Sequence, residues 1–262
     1  YIPRSKKSSR ASITFFVDIS SVSPTPANLT LKAGPVVTTG GRFNGQSFVF
    51  GIPEDITVSV IDGVATFGEI EVYEGSYLSQ SYVYSTRNPF QKFILPNVGI
   101  DLDSLVVSVR PSIDSSVSTK YTRQDELFDS VTKSTITGNS NIYFIQEVEG
   151  EQYEVIFGDG IFGKELQDGN IVEMTYIVTN GSDGNGISNF TFSGSVSYVR
   201  NSVEIFVTSG ISLISSLLPS SGGESIESID SIRKYAPQLY ATQNRALSAN
   251  DFEVLIPNKI YP

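Results

Sequence analysis

The 262-residue sequence predicts a mainly β protein of α+β class: an antiparallel meander or sandwich-like domain followed by a short C-terminal helical segment. Three observations predict it. Apolar and polar residues alternate over short stretches bounded by Gly, Pro, Asn and Asp. Charged residues make up 18%, below the roughly 25% of an ordinary soluble domain, so Ser, Thr, Asn and 22 glycines supply the polarity of a strand-and-turn protein. Helical spacing begins only beyond Ser220.

Each element follows in order. Arg4, Lys6, Lys7 and Arg10 suit either a basic arm for an acidic partner or a solvated lead-in, the simpler reading. Residues 12–19 are β-branched and apolar, as in a strand, and Pro24, Pro26, Gly34 and Pro35 mark an extended connection. Ile56, Val58 and Val60 alternate with Thr57 and Ser59, Asp62-Gly63 supplies a tight turn, and residues 64–67 return as a hairpin. Residues 70–73, 82–84, 93–95 and 105–109 continue the pattern. A further hairpin spans residues 141–157, with Ile142, Phe144 and Val148 on one face of the first arm, Glu149-Gly150 at the turn, and Tyr153, Val155 and Phe157 alternating on the return.

Gly158-Asp159-Gly160 and Asp168-Gly169 are turn signals before an alternating strand at 172–178, which extends the hairpin into a meander. A polar turn from Asn180 to Gly186 precedes strands near Phe190 and Phe192, at 196–199 and at 203–207. From Ser225, Ile226, Ile229 and Ile232 recur every three residues. Glu224 and Glu227 are expected in the first turn, Arg233-Lys234 near the last, and Pro237 at the stop. Ser248-Ala249-Asn250-Asp251 resembles a capping box opening a second helix through Phe252, Leu255 and Ile256. The expected organisation is a lead-in with one strand (1–35), a β-rich body (36–220) divisible near 96–140, and a helical segment opening a further domain (221–262). Tyr1 stands first and Met174 is the one methionine, so the chain reads as an internal or processed piece.

Composition excludes several chemistries. With no His and no Cys there is no Ser-His-Asp or Cys-His nucleophile, imidazole metal site, thiolate cluster or disulfide. A net charge of −10 opposes non-specific attraction to nucleic acid and anionic lipid. No stretch approaches the ~18 consecutive apolar residues of a membrane helix.

The remaining motifs have simple readings. Gly158-Asp159-Gly160-Ile161-Phe162-Gly163 has the glycines of a dinucleotide loop, but Asp168-Gly169 leaves no room for the helix such a loop must open. Asp101, Asp103 and the Asn180–Asn185 turn carry oxygens suited to calcium without the spacing of a calcium loop. Glu147, Glu149, Glu151 and Glu154 cluster at a hairpin tip, where a glycosidase pair would need to face across a cleft. Asn28, Asn180 and Asn189 begin glycosylation triplets that this composition yields by chance. Phe48, Phe50, Tyr82, Tyr84, Phe90 and Phe93 read as packing residues. No catalytic, metal or cofactor residue is assigned.

Several segments together resemble one family. They are Tyr1-Ile2-Pro3-Arg4-Ser5 leading into residues 11–17; Phe157-Gly158-Asp159-Gly160-Ile161-Phe162-Gly163; Gly169 before the 172–178 strand; and Thr179-Asn180-Gly181 through Asn185-Gly186. Further on come Gly222-Gly223-Glu224-Ser225-Ile226-Glu227, Ile232-Arg233-Lys234-Tyr235-Ala236-Pro237, and Asn244-Arg245-Ala246-Leu247-Ser248-Ala249-Asn250-Asp251-Phe252. Their order and spacing resemble the baseplate-J-like family of contractile phage tails, within it the T-even-type wedge proteins.

The resemblance implies a non-enzymatic virion protein without cofactors, made in the host cytoplasm. Two copies would pair within a wedge, and wedges with their neighbours would close a ring around the tail hub and relay the change that triggers sheath contraction. It implies neither nucleic-acid binding nor membrane insertion. Arg233 and Arg245 are expected to brace the terminal helices, on backbone or Asp251. The alternative is a virion-surface or secreted β-rich module that binds or cleaves polysaccharide.

Overall fold

The computed structural model describes residues 4–88, 90–124, 136–214 and 218–242. Strands β1 (Arg10–Asp18), β2 (Asn28–Leu31), β3 (Gly34–Thr39), β4 (Val49–Ile52), β5 (Ile56–Ile61) and β6 (Val64–Glu74) come first. They are followed by β7 (Ser76–Val83), β8 (Phe93–Leu95), β9 (Ile100–Arg110), β10 (Thr119–Arg123), β11 (Ile142–Val148), β12 (Gln152–Phe157) and β13 (Ile171–Val178). β14 (Phe190–Phe192), β15 (Val196–Arg200), β16 (Val203–Val207), β17 (Ile211–Ile214) and helix α1 (Ile229–Thr242) complete the described order. The fold is mainly β, as expected. β1–β6 and β14–β17 form one sheet and β7–β13 a second, inserted between the halves of the first.

The first sheet is organised by β1, whose alternating Ala11, Ile13, Phe15 and Val17 are buried while Arg10 and Asp18 are exposed. β1 pairs with β6 on one edge and β17 on the other. Phe15 stacks on Phe67 of β6 with ring centres 4.6 Å apart. The sheet curls until Phe192 of β14 reaches Phe15 at 4.9 Å and Phe190 meets Phe50 at 5.2 Å, closing a sandwich-like core. The Asp62-Gly63 hairpin forms as expected: both residues have positive φ, 51° and 82°, the geometry that matches strand twist in a two-residue turn. β2 and β3 lie where an extended connection was expected. The four residues of β2 are too few to display a period, yet Leu29 and Leu31 are fully buried.

The second sheet runs β7-β13-β9-β10-β11-β12-β8. It is antiparallel except that β10, antiparallel to β9, continues parallel to β11. The expected β11–β12 hairpin is present, but β13 lies between β7 and β9 rather than beside β12. Tyr143 and Ile145, not Phe144 and Val148, share the core face with Tyr153, Val155 and Phe157, because the cross-strand register pairs Tyr143 with Phe157 and Ile145 with Val155. The sheet's edges approach each other where the Tyr82 hydroxyl donates to the Ile94 carbonyl at 2.6 Å and its ring meets Phe93 edge-on at 5.6 Å. The result is a barrel-like curl around a separate apolar core.

The helix departs from expectation at both ends. It begins at Ile229, not Ser225, because residues 224–227 are extended and paired with the N-terminal segment; Ser228 then caps it by accepting the Ser231 N–H at 3.2 Å. Glu224 and Glu227 therefore precede the first turn. Pro237 does not stop the helix but lies inside it on an exposed face, and Arg233-Lys234 fall mid-helix. The second helix expected from Ser248 lies outside the described residues.

Candidate functional site: a polar junction between the sheets

The chain leaves the first sheet at Gly75 and re-enters it at Thr179, and these two crossings are bonded together. Glu74 is in phase with Ile70 and Val72 on the buried face of β6 and is 1% exposed. Its carboxylate accepts the Thr179 hydroxyl at 2.5 Å, the Asn180 N–H at 3.1 Å and the Asn180 side-chain amide at 2.7 Å. Its own N–H donates to the Ser9 carbonyl at 2.7 Å. A carboxylate taken out of water survives only when hydrogen-bonded in this way. Nearby, buried Asp101 accepts the Ser8 N–H at 2.8 Å and the Asp103 N–H at 3.1 Å.

The Asn180–Gly186 turn and the Gly222–Ser225 segment, far apart in sequence, meet against residues 4–10. Lys7 and Glu224 exchange both backbone hydrogen bonds, as do Arg10 and Ser221, and the Glu227 N–H donates to the Arg4 carbonyl. This antiparallel clasp is in continuous register. Asn185 accepts the Ser9 hydroxyl at 2.7 Å and the Gly223 N–H at 2.9 Å, and donates to the Gly223 carbonyl at 2.8 Å. The Ser182 and Ser225 hydroxyls lie 2.8 Å apart. Glycine is required here: a Cβ on Gly223 would lie 2.3 Å from the Gly181 carbonyl oxygen, and one on Gly181, where φ is +69°, would lie 2.5 Å from that of Glu224.

The basic residues of the lead-in belong to this junction rather than to a free arm. Arg4 lies 4.0 Å from Glu227, Lys7 3.6 Å from Asp103 and Arg10 3.5 Å from Glu71. Arg233 instead turns to solvent and meets Asp230 on its own helix at 3.7 Å. Asn244, Arg245, Ser248 and Asp251 lie outside the described residues.

The glycine turn after Phe157 is a separate structure. Asp159 accepts the N–H groups of Ile161 and Phe162 at 2.9 and 2.8 Å, which holds its carboxyl below the usual aspartate range. A Cβ on Gly158 would lie 2.2 Å from the Gly163 carbonyl carbon, so the loop closes tightly on itself. Gly169 adopts φ +84° in the next turn. No helix follows either turn, and so no N-terminal amide cradle for a phosphate is built.

The hairpin-tip carboxylates diverge. Glu147 pairs with Tyr153 and Glu154 with Gln146, which puts Glu147 and Glu154 on opposite faces of the hairpin, and Glu154 is bridged by Lys92 at 3.1 Å. Among the described residues no group of three or more acidic side chains converges to hold a metal, and no helix is long and apolar enough to cross a membrane. Phe48, Phe50 and Phe93 are buried as expected, whereas Phe90 is 88% exposed.

No family model and no curated protein matches the chain.

Glu74, Ser9 and Ser220 are the junction residues that the motifs did not point to. Ser220 accepts the Ile187 N–H at 2.9 Å and donates to the Gly184 carbonyl at 2.6 Å. For Glu74 the signal was present: a carboxylate in phase with the core side of a strand, followed by glycine. For the serines there was none.

Proposed function

We propose that this chain is a structural component of a contractile-tail baseplate wedge, made in the host cytoplasm and built into the virion. There it pairs with itself and with other wedge and hub proteins in a ring, and relays the change that triggers sheath contraction. It does this without catalysis, cofactor, nucleic acid or membrane insertion. One observation carries the reading. The motifs behind the resemblance, Asn180 to Gly186 and Gly222 to Ser225, converge on the junction and engage their polar groups in joining the sheets to the N-terminal segment. Motifs used this way support architecture rather than turnover. A doubly crossed, bonded junction also suits a part that must transmit displacement between two rigid bodies.

The test is assembly. Full-length protein, alone and with the tail proteins of its particle, is sized by light scattering, and a label on this chain is located in electron micrographs. A dimer, complexes with tail proteins and label at the tail end are expected. A monomer indifferent to every tail component overturns the proposal, and reducing-sugar release from a capsular or cell-wall glycan supports the polysaccharide alternative.

A further inference from the structure

β16 is a sheet end with one side unpaired. Among the described residues β8 approaches β7 where Tyr82 bonds to Ile94, and β14 abuts β17, but the path of the first sheet stops at β16, which is bonded to β15 alone. The Asn201-Ser202 turn fixes which of its groups are used. Both residues have positive φ, 51° and 62°, the two-residue turn whose flanking pair, Arg200 and Val203, is hydrogen-bonded. Bonded and non-bonded pairs alternate from there. Val203, Ile205 and Val207 therefore direct their N–H and C=O groups to β15, while those of Glu204 and Phe206 point away from it.

An edge strand is commonly guarded against other chains by proline, lysine or a bulge. β16, Val-Glu-Ile-Phe-Val, has none of the three, and its register with β15 is unbroken. Its side chains divide by face. Ile205 and Val207 pack against the first core, whereas Glu204 and Phe206 lie with Val199 on the outer face, where Phe206 is 53% and Val199 70% exposed. The hairpin is braced: Arg200 donates to the Pro24 carbonyl at 2.6 Å, and Ser197 donates to the Glu204 carboxylate at 2.8 Å. The charge beside the edge is negative. Lys32 bridges Glu204 at 3.5 Å and Asp55 at 2.5 Å, one ammonium between two carboxylates.

We infer that β16 is a docking edge for an extended segment of a partner protein, which adds to the first sheet as a further antiparallel strand. Unpaired N–H and C=O groups recurring at every second residue are complementary to another extended main chain. The side chains add a preference. A basic residue fits opposite Glu204 and an apolar one opposite Phe206, with a second apolar residue between them beside Ile205. A second copy of this chain suits the edge less well, since each copy carries a net charge of −10 and the same acidic flank. This docking goes beyond the wedge reading and stands on the geometry of β16 alone.

The probe is the capped peptide Thr-Tyr-Val-Lys-Thr, whose Tyr, Val and Lys face Phe206, Ile205 and Glu204 in antiparallel order. Without peptide the Glu204 and Phe206 amides should exchange rapidly and those of Ile205 and Val207 slowly. Peptide at about 1 mM, roughly twice a dissociation constant of about 0.5 mM, should slow exchange at Glu204 and Phe206 about threefold. N-methylation of the peptide's Tyr or Lys, whose N–H groups bond to β16, should remove the effect, and N-methylation of its Val should not. Replacing the peptide's Lys by Glu should weaken binding at least about threefold. Phe206→Pro should abolish binding while keeping every ladder bond to β15, because the lost N–H is the outward one; the N-methyl series decides the matter even if that variant does not fold. Unchanged exchange with peptide present, or equal effects of the three N-methyl peptides, overturns the inference. So does protection at Glu204 and Phe206 that rises with protein concentration in the absence of peptide, which assigns the edge to a second copy. The wedge reading is judged separately, by assembly with tail proteins.

Discussion

Glu74, the last residue of β6, accepts the hydroxyl of Thr179, the first residue after β13, at 2.5 Å. The pair closes a loop of more than one hundred residues, the whole second sheet, at its base. The chain crosses between the sheets at these two points, and side-chain contacts such as the Tyr77 hydroxyl donating to the Gly51 carbonyl at 3.3 Å add to the link.

Glu74→Gln is therefore expected to destabilise the protein by about 1–3 kcal/mol, because one carboxylate oxygen becomes an NH₂ group that faces donors and leaves a buried group unpaired. Thr179→Val should have a similar effect, since its hydroxyl also accepts the Gly181 N–H at 2.9 Å. The double variant should fall short of the sum, because the two residues share one network. Urea denaturation of the three variants measures all of this, and full additivity would contradict the coupling.

Gly181→Ala combines a left-handed backbone with a collision at the Glu224 carbonyl, whereas Gly169→Ala at φ +84° meets nothing within 4 Å. The first should cost about 2 kcal/mol or more, and the second only the conformational term of about 1–2 kcal/mol. Amide exchange should locate the difference. In Gly181→Ala the N–H groups of Lys7 and Glu224 lose protection while β1 and β13 keep theirs.

Burial pushes the Tyr153 hydroxyl up to about 12, and burial lifts Tyr77 beyond the ordinary tyrosine range. Both native values lie above the unfolded value near 10, so their contribution to stability is complete below pH 10. It is lost as pH rises through the native values. Absorbance at the tyrosinate band should show these two hydroxyls ionising only as the fold opens at alkaline pH, and Tyr153→Phe should remove one such step.

Pro237 deprives α1 of one N–H and leaves the Arg233 carbonyl without its helical donor. Pro237→Ala should stabilise the helix locally by up to about 3 kcal/mol, read as slower amide exchange across residues 236–241 with the sheets unaffected. Unchanged exchange would mean that something beyond the helix holds it.

Most of the strands were legible because one face of each is buried, and burial writes a two-residue period into the sequence: Ala11, Ile13, Phe15 and Val17 are the clearest case. The Asp62-Gly63 turn was legible because few residue pairs accept two positive φ angles. β2 was not, because four residues carry too little period. The helix start was misplaced because Ile226 and Ile229 keep helical spacing whether or not the backbone of Glu224 and Glu227 is already engaged, and only Lys7 and Arg4, more than two hundred residues away, engage it.

By itself the sequence determined the β character, the turns, and the absence of imidazole and thiol chemistry, since each depends on local sterics or composition. Only the tertiary structure decided which strands adjoin, that β13 slots between β7 and β9, and that two glycine-rich motifs and a serine-rich lead-in form one junction. Those outcomes depend on hydrogen bonds between groups distant in sequence, and alternation along a strand says which side of it is buried but not against what.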